Sequence, residues 1–306
     1  DIHSFTTRDF HIPVNPIVES AEFPQRWGHT AVAFIEKLWI IGGSNGGFSN
    51  DIWQSTDGEN WEEVLVEDHF SERRNHASAV FDDKLWVVGG QLDFPSETDK
   101  KSSYLSNQVW YTENGLDWIL ATNAAPFSER QDHTLTVFNN TLWLIGGRSE
   151  TGRTNDIWKS TDGVSWAEVT PNTPFSNRSR HSTIVFNNKI WLIGGNDFST
   201  EDTFWFSADG QIWENGTFPT ELNAIRSHTT CIFDNRLWIL GGASGLDNSV
   251  EEAWYTMDGT NWNKLDKPIP FLPRGGHTTT VFENKMFTIT RDEALMMITS
   301  EIWIIE

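Results

Sequence analysis

One repeat constrains this chain more than anything else in it. Six histidines, His29, His76, His133, His181, His228 and His277, stand 47, 57, 48, 47 and 49 residues apart. Ten residues after each comes an aromatic side chain: Trp39, Trp86, Trp143, Trp191, Trp238 and Phe287. Three residues further on, five of the six periods have a glycine pair, beginning at Gly42, Gly89, Gly146, Gly194 and Gly241, while the sixth has Thr290-Arg291. A variable loop leads to another tryptophan (Trp53, Trp110, Trp158, Trp205, Trp254, Trp303), and five periods close on one more (Trp61, Trp118, Trp166, Trp213, Trp262). Sixteen of the 17 tryptophans fall on this grid, and Trp27 alone lies off it. A period of about 20–50 residues marks a chain built from stacked copies of one supersecondary unit.

Each unit reads as four short strands. In the first copy these are HTAVAF, KLWIIGG, DIWQS and WEEVLV, the first two joined through Ile35-Glu36-Lys37. The last two are joined at Asp57-Gly58, repeated as Asn114-Gly115, Asp162-Gly163, Asp209-Gly210 and Asp258-Gly259. Asp-Gly and Asn-Gly between strands predict tight hairpins, because glycine accepts the positive φ such turns need. No helical period persists anywhere. A four-stranded antiparallel unit cannot bury both faces by itself, but six of them stacked around an axis can. The expected fold is therefore all-β: a single six-bladed β-propeller over residues 1–306, with four-stranded antiparallel blades. Blade cores are expected near 29–66, 76–123, 133–171, 181–218, 228–267 and 277–306. The sixth unit reaches Glu306 just past its third strand, Glu301–Ile305. Residues 10–14, Phe10 to Val14, are expected to supply the missing strand, which removes two exposed edges.

The recurring Arg-x-x-His, Leu-Trp-x-x-Gly-Gly, Asp-x-Trp and late Trp resemble the kelch-repeat family, over essentially residues 23–306. The resemblance implies the propeller fold. It leaves activity open, because kelch propellers include oxidases, isomerases, specifier proteins and interaction scaffolds. The segments Ser55 to Trp61, Ser160 to Trp166 and Ser207 to Trp213 also resemble the Asp-box turns of sialidase propellers, one residue shorter; in that family such turns are structural. Kelch-type copper oxidases need a tyrosine crosslinked to cysteine. This chain has Tyr104, Tyr111, Tyr255 and a single Cys231 inside the apolar run TTCIF, so it departs from that pattern. It is also similar to six-bladed bacterial sialic-acid mutarotases, which would need acid–base residues beside an anion-binding arginine; Glu72, Glu129 and Glu293 are the candidates.

Charge narrows the partners. Against 43 acidic residues there are 22 basic ones, a formal net charge of -21. That argues against nucleic acid and anionic membranes, and no run approaches the roughly 20 apolar residues of a spanning helix. With one cysteine, no disulfide can form within the chain. No cofactor is implied. The repeat histidines are expected to spread around the hub too widely to share one ion, and His3, His11 and His69 form no ligand spacing, so no metal is expected.

Against this acidic background one basic position recurs. Arg26, Arg73, Arg130, Arg178 and Arg274 each stand three residues before a heading histidine, and the fifth unit has Ile225 there with Arg226 beside it. On a propeller these six would ring the mouth of the central channel. Two roles follow: bracing neighbouring loops, with Asp51, Asp156 and Asp202 as partners, or holding an anionic ligand through paired donors. The longest loop, Gln91 to Asn107, adds Phe94, Lys100, Lys101 and Tyr104, the last as the tyrosine of a sialidase-like site. Further rim groups are Arg148, Glu150 and Arg153. The expected function is a binding module for a protein or glycan, with a possible anionic-ligand site at the arginine-lined mouth. The alternative is a sugar-acid mutarotase, epimerase or sialidase-like enzyme. Acidity and tryptophan richness suit a secreted or periplasmic product.

Overall fold

The computed structural model describes residues 13, 15–93, 103–170, 173–195, 203–222, 225–244, 248–249, 252–266, 269, 276–291 and 300–305. Blade 1 is built from Thr30–Phe34, Lys37–Ser44, Phe48–Ser55 and Glu62–Glu63, paired antiparallel in chain order. The next four blades repeat this order, beginning at Ala77–Phe81, Thr134–Val137, Ser182–Phe186 and Thr229–Phe233. Blade 6 contributes Thr278–Phe282, Lys285–Arg291 and Ser300–Ile305. The six first strands neighbour one another in a closed circle, blade 6 lying against blade 1 as well as blade 5. Thr280 Oγ1 donates to Ala31 O at 2.9 Å across that last joint.

Why the second strands carry continuous apolar runs is now clear. In Lys37–Ser44 every residue after Lys37 is buried. Alternate residues point to opposite faces of a strand, and both faces here meet another blade. Trp39 and Ile41 pack with Leu85 and Val87 of blade 2, while Leu38 and Ile40 pack with Phe287, Ile289 and Ile302 of blade 6. The core is thus divided into six clusters, each between two adjacent blades.

Two turns differ from expectation. The tight hairpins with two positive-φ residues lie between first and second strands, at Ile35-Glu36, Asp82-Asp83, Asn139-Asn140, Asn187-Asn188, Asp234-Asn235 and Glu283-Asn284. The Asp-Gly segments instead form wider turns held by side chains. In blade 3, Ser160 Oγ accepts from the Gly163 N–H at 2.8 Å, and Asp162 Oδ1 accepts from Val164 N–H and Ser165 N–H at 2.8 and 2.7 Å. The glycine has a different duty from the one its neighbour suggests. A Cβ on Gly163 would overlap the Trp86 indole of blade 2, and the same holds for Gly115 with Trp39 and Gly210 with Trp143. Each such turn therefore caps the second-strand aromatic of the preceding blade. The glycine pairs of blades 1, 2 and 3 sit within the second strand, at a register shift before Gly43, Gly90 and Gly147.

The chain start meets the last blade. Ile17 N–H and Val18 N–H donate to Ile302 O at 2.9 and 3.4 Å, Ile302 N–H donates to Val18 O at 3.1 Å, and Ala21 N–H donates to Ser300 O at 3.1 Å. This contact uses residues 17–21. Of the expected segment Phe10–Val14, only Pro13 lies within the described residues.

Candidate functional site

The repeated arginines lie on the segment that leads into the first strand of each blade. Arg26, Arg73, Arg130 and Arg178 are 0–3% exposed. Their Nη1 groups donate to the carbonyls of Gly42, Gly89, Gly146 and Gly194 at 3.0, 2.9, 2.8 and 2.8 Å. Their Nε groups donate to carbonyls two residues upstream. Phe23, Phe70, Phe127 and Phe175 stack on the four guanidinium groups at 5.3–5.6 Å. Arg26 forms a two-pronged pair with Asp51 at 2.7 Å on both prongs, and Arg130 pairs with Asp156 at 2.8 and 2.6 Å. These contacts tie the incoming rim segment to the bulge of the second strand. The side chains lie below the rim and do not line the channel. Asp202 and Arg274 lie outside the described residues. Arg226 is half-buried in the short strand Ile225–Arg226, in the place that Arg74 occupies in the strand Arg73–Arg74.

Apart from Trp27, the residues that line the channel stand one position before each histidine and at the histidines themselves. The cavity holds about 430 Å³ and is walled by Trp27, Gly28, Asn75, Asp132, Arg180, Ser227, Gly276 and the six repeat histidines. Asn75, Asp132, Arg180 and Ser227 have φ of 54, 56, 58 and 53°, in the left-handed region that costs a non-glycine residue about 1–3 kcal/mol. A collar of backbone hydrogen bonds holds them there. Asn75 N–H donates to Gly28 O, Asp132 N–H to Asn75 O, Arg180 N–H to Asp132 O and Ser227 N–H to Arg180 O, at 2.7–3.1 Å. Blades 1 to 5 are thus joined around the axis by a run of main-chain hydrogen bonds, with side chains turned into the opening.

Beneath the collar the histidines tie blade to blade. Nε2 of His76 meets Thr30 Oγ1 at 3.0 Å, that of His181 meets Thr134 Oγ1 at 3.3 Å, that of His228 meets Ser182 Oγ at 2.8 Å and that of His29 meets Thr278 Oγ1 at 2.9 Å. His277 Nε2 meets Leu240 O at 3.1 Å. Hydroxyls of the adjacent first strand are thus the partners of four of the six histidines. Where the hydroxyl is missing, at Ala77, the facing His133 Nε2 is buried with no side-chain partner. Burial lowers the pKa of His29, His133, His181 and His228 to about 3, so the ring is neutral.

Charge enters the opening through Asp132 and Arg180, whose groups approach to 3.5 Å. Burial raises the pKa of Asp132, against the pull of Arg180, Arg148 and Arg74. Arg74 is held between the Trp27 and Phe48 rings at 4.1 and 4.3 Å, with its Nε donating to Gln91 Oε1 at 2.9 Å. A smaller cavity of about 220 Å³ adjoins, lined by Gln91, Tyr104, Leu105, Gln131, Arg148, Ser149 and Glu150. Gln131 and Asp132 are consecutive, so one segment of chain separates the two spaces.

Of the residues singled out from sequence, Tyr104, Arg148 and Glu150 come together at the smaller cavity. Glu72 and Glu129 are exposed and line neither, and Glu293, Phe94, Lys100 and Lys101 lie outside the described residues. Asp132, Arg180, Arg74, Gln131 and Trp27 were missed. Two signals pointed to them: the position before each heading histidine, and the one tryptophan off the grid.

Residues 28–242 match the KLHDC2/KLHL20/DRC7 Kelch-repeats domain model. The chain belongs to that kelch-repeat family. No curated protein gives a significant match to it. As a kelch propeller it presents a rigid ring with a lined opening, an architecture suited to binding. No helix among the described residues is long and apolar enough to cross a membrane.

Proposed function

We propose that this kelch propeller is a binding module for a small anionic molecule that enters the mouth of the central channel. The observation that carries this reading is the clustering of Arg74, Arg148 and Arg180 around Asp132, in a chain whose formal net charge is -21. Guanidinium groups gathered at an opening offer an anion paired donors even in an acidic protein. The 430 Å³ opening lies within the about 300–1,000 Å³ typical of small-molecule sites, and Trp27 gives it an aromatic wall. Sugar acids fit this combination of charge, polar lining and ring surface. Calorimetric titration with a panel of sugar acids and their neutral counterparts tests the reading. The acids should bind, the neutral sugars should bind much more weakly, and Arg180→Ala should reduce affinity at least tenfold. Equal binding of acid and neutral sugar, or an Arg180→Ala protein as good as the parent, would sink it.

A second reading, a sugar-acid mutarotase or epimerase, has support in Asp132. This carboxyl is held toward its protonated form by burial and lies beside Arg180, as a proton-transferring group next to an anion anchor requires. Its test is the rate of anomer exchange of a bound sugar acid, followed by NMR, with Asp132→Asn as the variant that should abolish it.

A further inference from the structure

The outer strand of blade 2, Trp118–Thr122, differs from the other outer edges of the ring. Blades 1, 3, 4 and 5 end on Glu62–Glu63, Ala167–Thr170, Glu214–Thr217 and Trp262–Lys264, and residues 17–21 close blade 6. Each of those five edges carries a charge, at Glu62 and Glu63, Glu168, Glu214, Lys264 and Glu19. A charge on an edge strand discourages another chain from pairing with it. Trp118-Ile119-Leu120-Ala121-Thr122 has none, and no described strand pairs with its outer side. It is also the longest outer strand among the described residues.

Apolar side chains stand on both flanks of this edge. Ile119 and Leu120, 47% and 39% exposed, point to opposite faces of the strand. Ile119 lies opposite Tyr111, whose ring stacks on Trp86 at 4.9 Å, toward blade 3. Val164, 45% exposed, belongs to the turn that covers Trp86, and its carbonyl accepts from Thr122 Oγ1 at 3.4 Å. On the other face Leu120 lies opposite Trp110, which packs with Val64 and Val66 of blade 1. An extended segment laid along the strand would meet apolar surface on both faces while its main chain continued the sheet. A register shift leaves Ala121 unpaired and bends the strand there, so the straight part is short and suits a short segment.

Charge selects the partner. Glu113 and Asp117 stand exposed just before the strand, and the outer strands of the flanking blades bring Glu62, Glu63 and Glu168. Lys84, 3.6 Å from Glu113, is shared with Asp82. A second copy of the chain would bring a formal net charge of -21 and the same acidic border against this one. We propose that Trp118–Thr122 is a docking edge for a short extended segment of another protein, apolar in its middle and flanked by lysine or arginine. The segment adds a strand to blade 2, its apolar side chains cover Ile119 and Leu120, and its basic flanks meet the acidic border. This edge lies on the perimeter of the ring and does not depend on the channel mouth.

The probe is a labelled synthetic peptide, Lys-Arg-Val-Thr-Val-Thr-Val-Arg-Lys, titrated with the intact chain and followed by fluorescence anisotropy. It should bind saturably. Replacing its valines by serine, or N-methylating alternate residues, should weaken binding at least tenfold at unchanged charge. The first change removes the apolar cover and the second the main-chain donors. Leu120→Glu gives this edge the charge that its counterparts carry, and adds attraction for a basic peptide. It should nonetheless weaken binding at least tenfold, with Tm unchanged because the position is exposed. Ile119→Thr, on the opposite face, keeps strand propensity and should also weaken binding, which guards against an ill-folded first variant. No saturable binding by the parent chain, equal binding of the N-methylated peptide, or tighter binding to Leu120→Glu overturns the proposal, the last by reducing it to charge attraction. Dimerisation of the parent chain in sedimentation, abolished by Leu120→Glu, would overturn it in favour of a second copy.

Discussion

At the scale of single residues, the hub histidines make stability depend on pH. Burial holds His29, His133, His181 and His228 near a pKa of about 3, and His76 also well below its usual value. The folded protein keeps them neutral, whereas the unfolded chain binds protons below about pH 6.5. Their contribution is therefore complete above that pH and is lost as pH falls toward 3, at about 1.4 kcal/mol per pH unit for each histidine. Asp132 has the opposite sign, since its raised pKa favours the protonated folded state, but it is one group against five. Calorimetry across a pH series should show Tm level above pH 7 and falling steadily between 6.5 and 4; a flat profile there would refute the buried neutral ring. His133 offers a finer test. Ala77→Ser puts a hydroxyl where Thr30, Thr134, Ser182 and Thr278 already serve the other histidines. It should stabilise by about 1 kcal/mol, seen as a higher denaturation midpoint. The arginines divide in the same way. Arg130→Ala leaves Asp156 and the Gly146 carbonyl without their donor, and should cost about 3 kcal/mol, the low end for a broken buried pair because Asp156 keeps some exposure. Arg180→Ala removes a half-exposed side chain and should cost less than about 1 kcal/mol. Urea denaturation of the two variants separates brace from binding group.

At the scale of elements, the turn between third and fourth strands is an interblade lock. Its serine and aspartate fix its shape from within, and its glycine receives the neighbouring indole. Gly163→Ala combines overlap with Trp86 and a φ of 76°, and should destabilise by about 1–3 kcal/mol or more. Gly46→Ala shares a positive φ but meets open space, so it isolates the backbone cost from the overlap. Equal losses in the two variants would show that the contact with Trp86 contributes nothing. The Asp-Gly pairs were legible as turns from the sequence, but their type was not. A two-residue hairpin and a side-chain-held turn share the same dipeptide, and only the aromatic ring lying over the glycine distinguishes them.

At the scale of the whole molecule, the ring is closed at both levels that matter. First strands circle the axis, and residues 17–21 hydrogen-bond to the last strand. Removing residues 1–22 should expose the edge of Ser300–Ile305, lower Tm, and promote association detectable by sedimentation, because an unpaired edge is a template for another chain. By itself the sequence determined the blade count and the strand order within each blade, since those follow from a period of local patterns copied six times. It also named the arginines that recur, but could not tell whether they would point into the opening or beneath it. Only the tertiary structure decided that, because recurrence marks what every blade needs to hold its neighbour. The groups proposed to bind are residues in which blades differ, Trp27, Asp132 and Arg180. Asp132 and Arg180 share a recurring position but not a recurring chemistry, and the groups meet only when the ring brings separate loops to one axis.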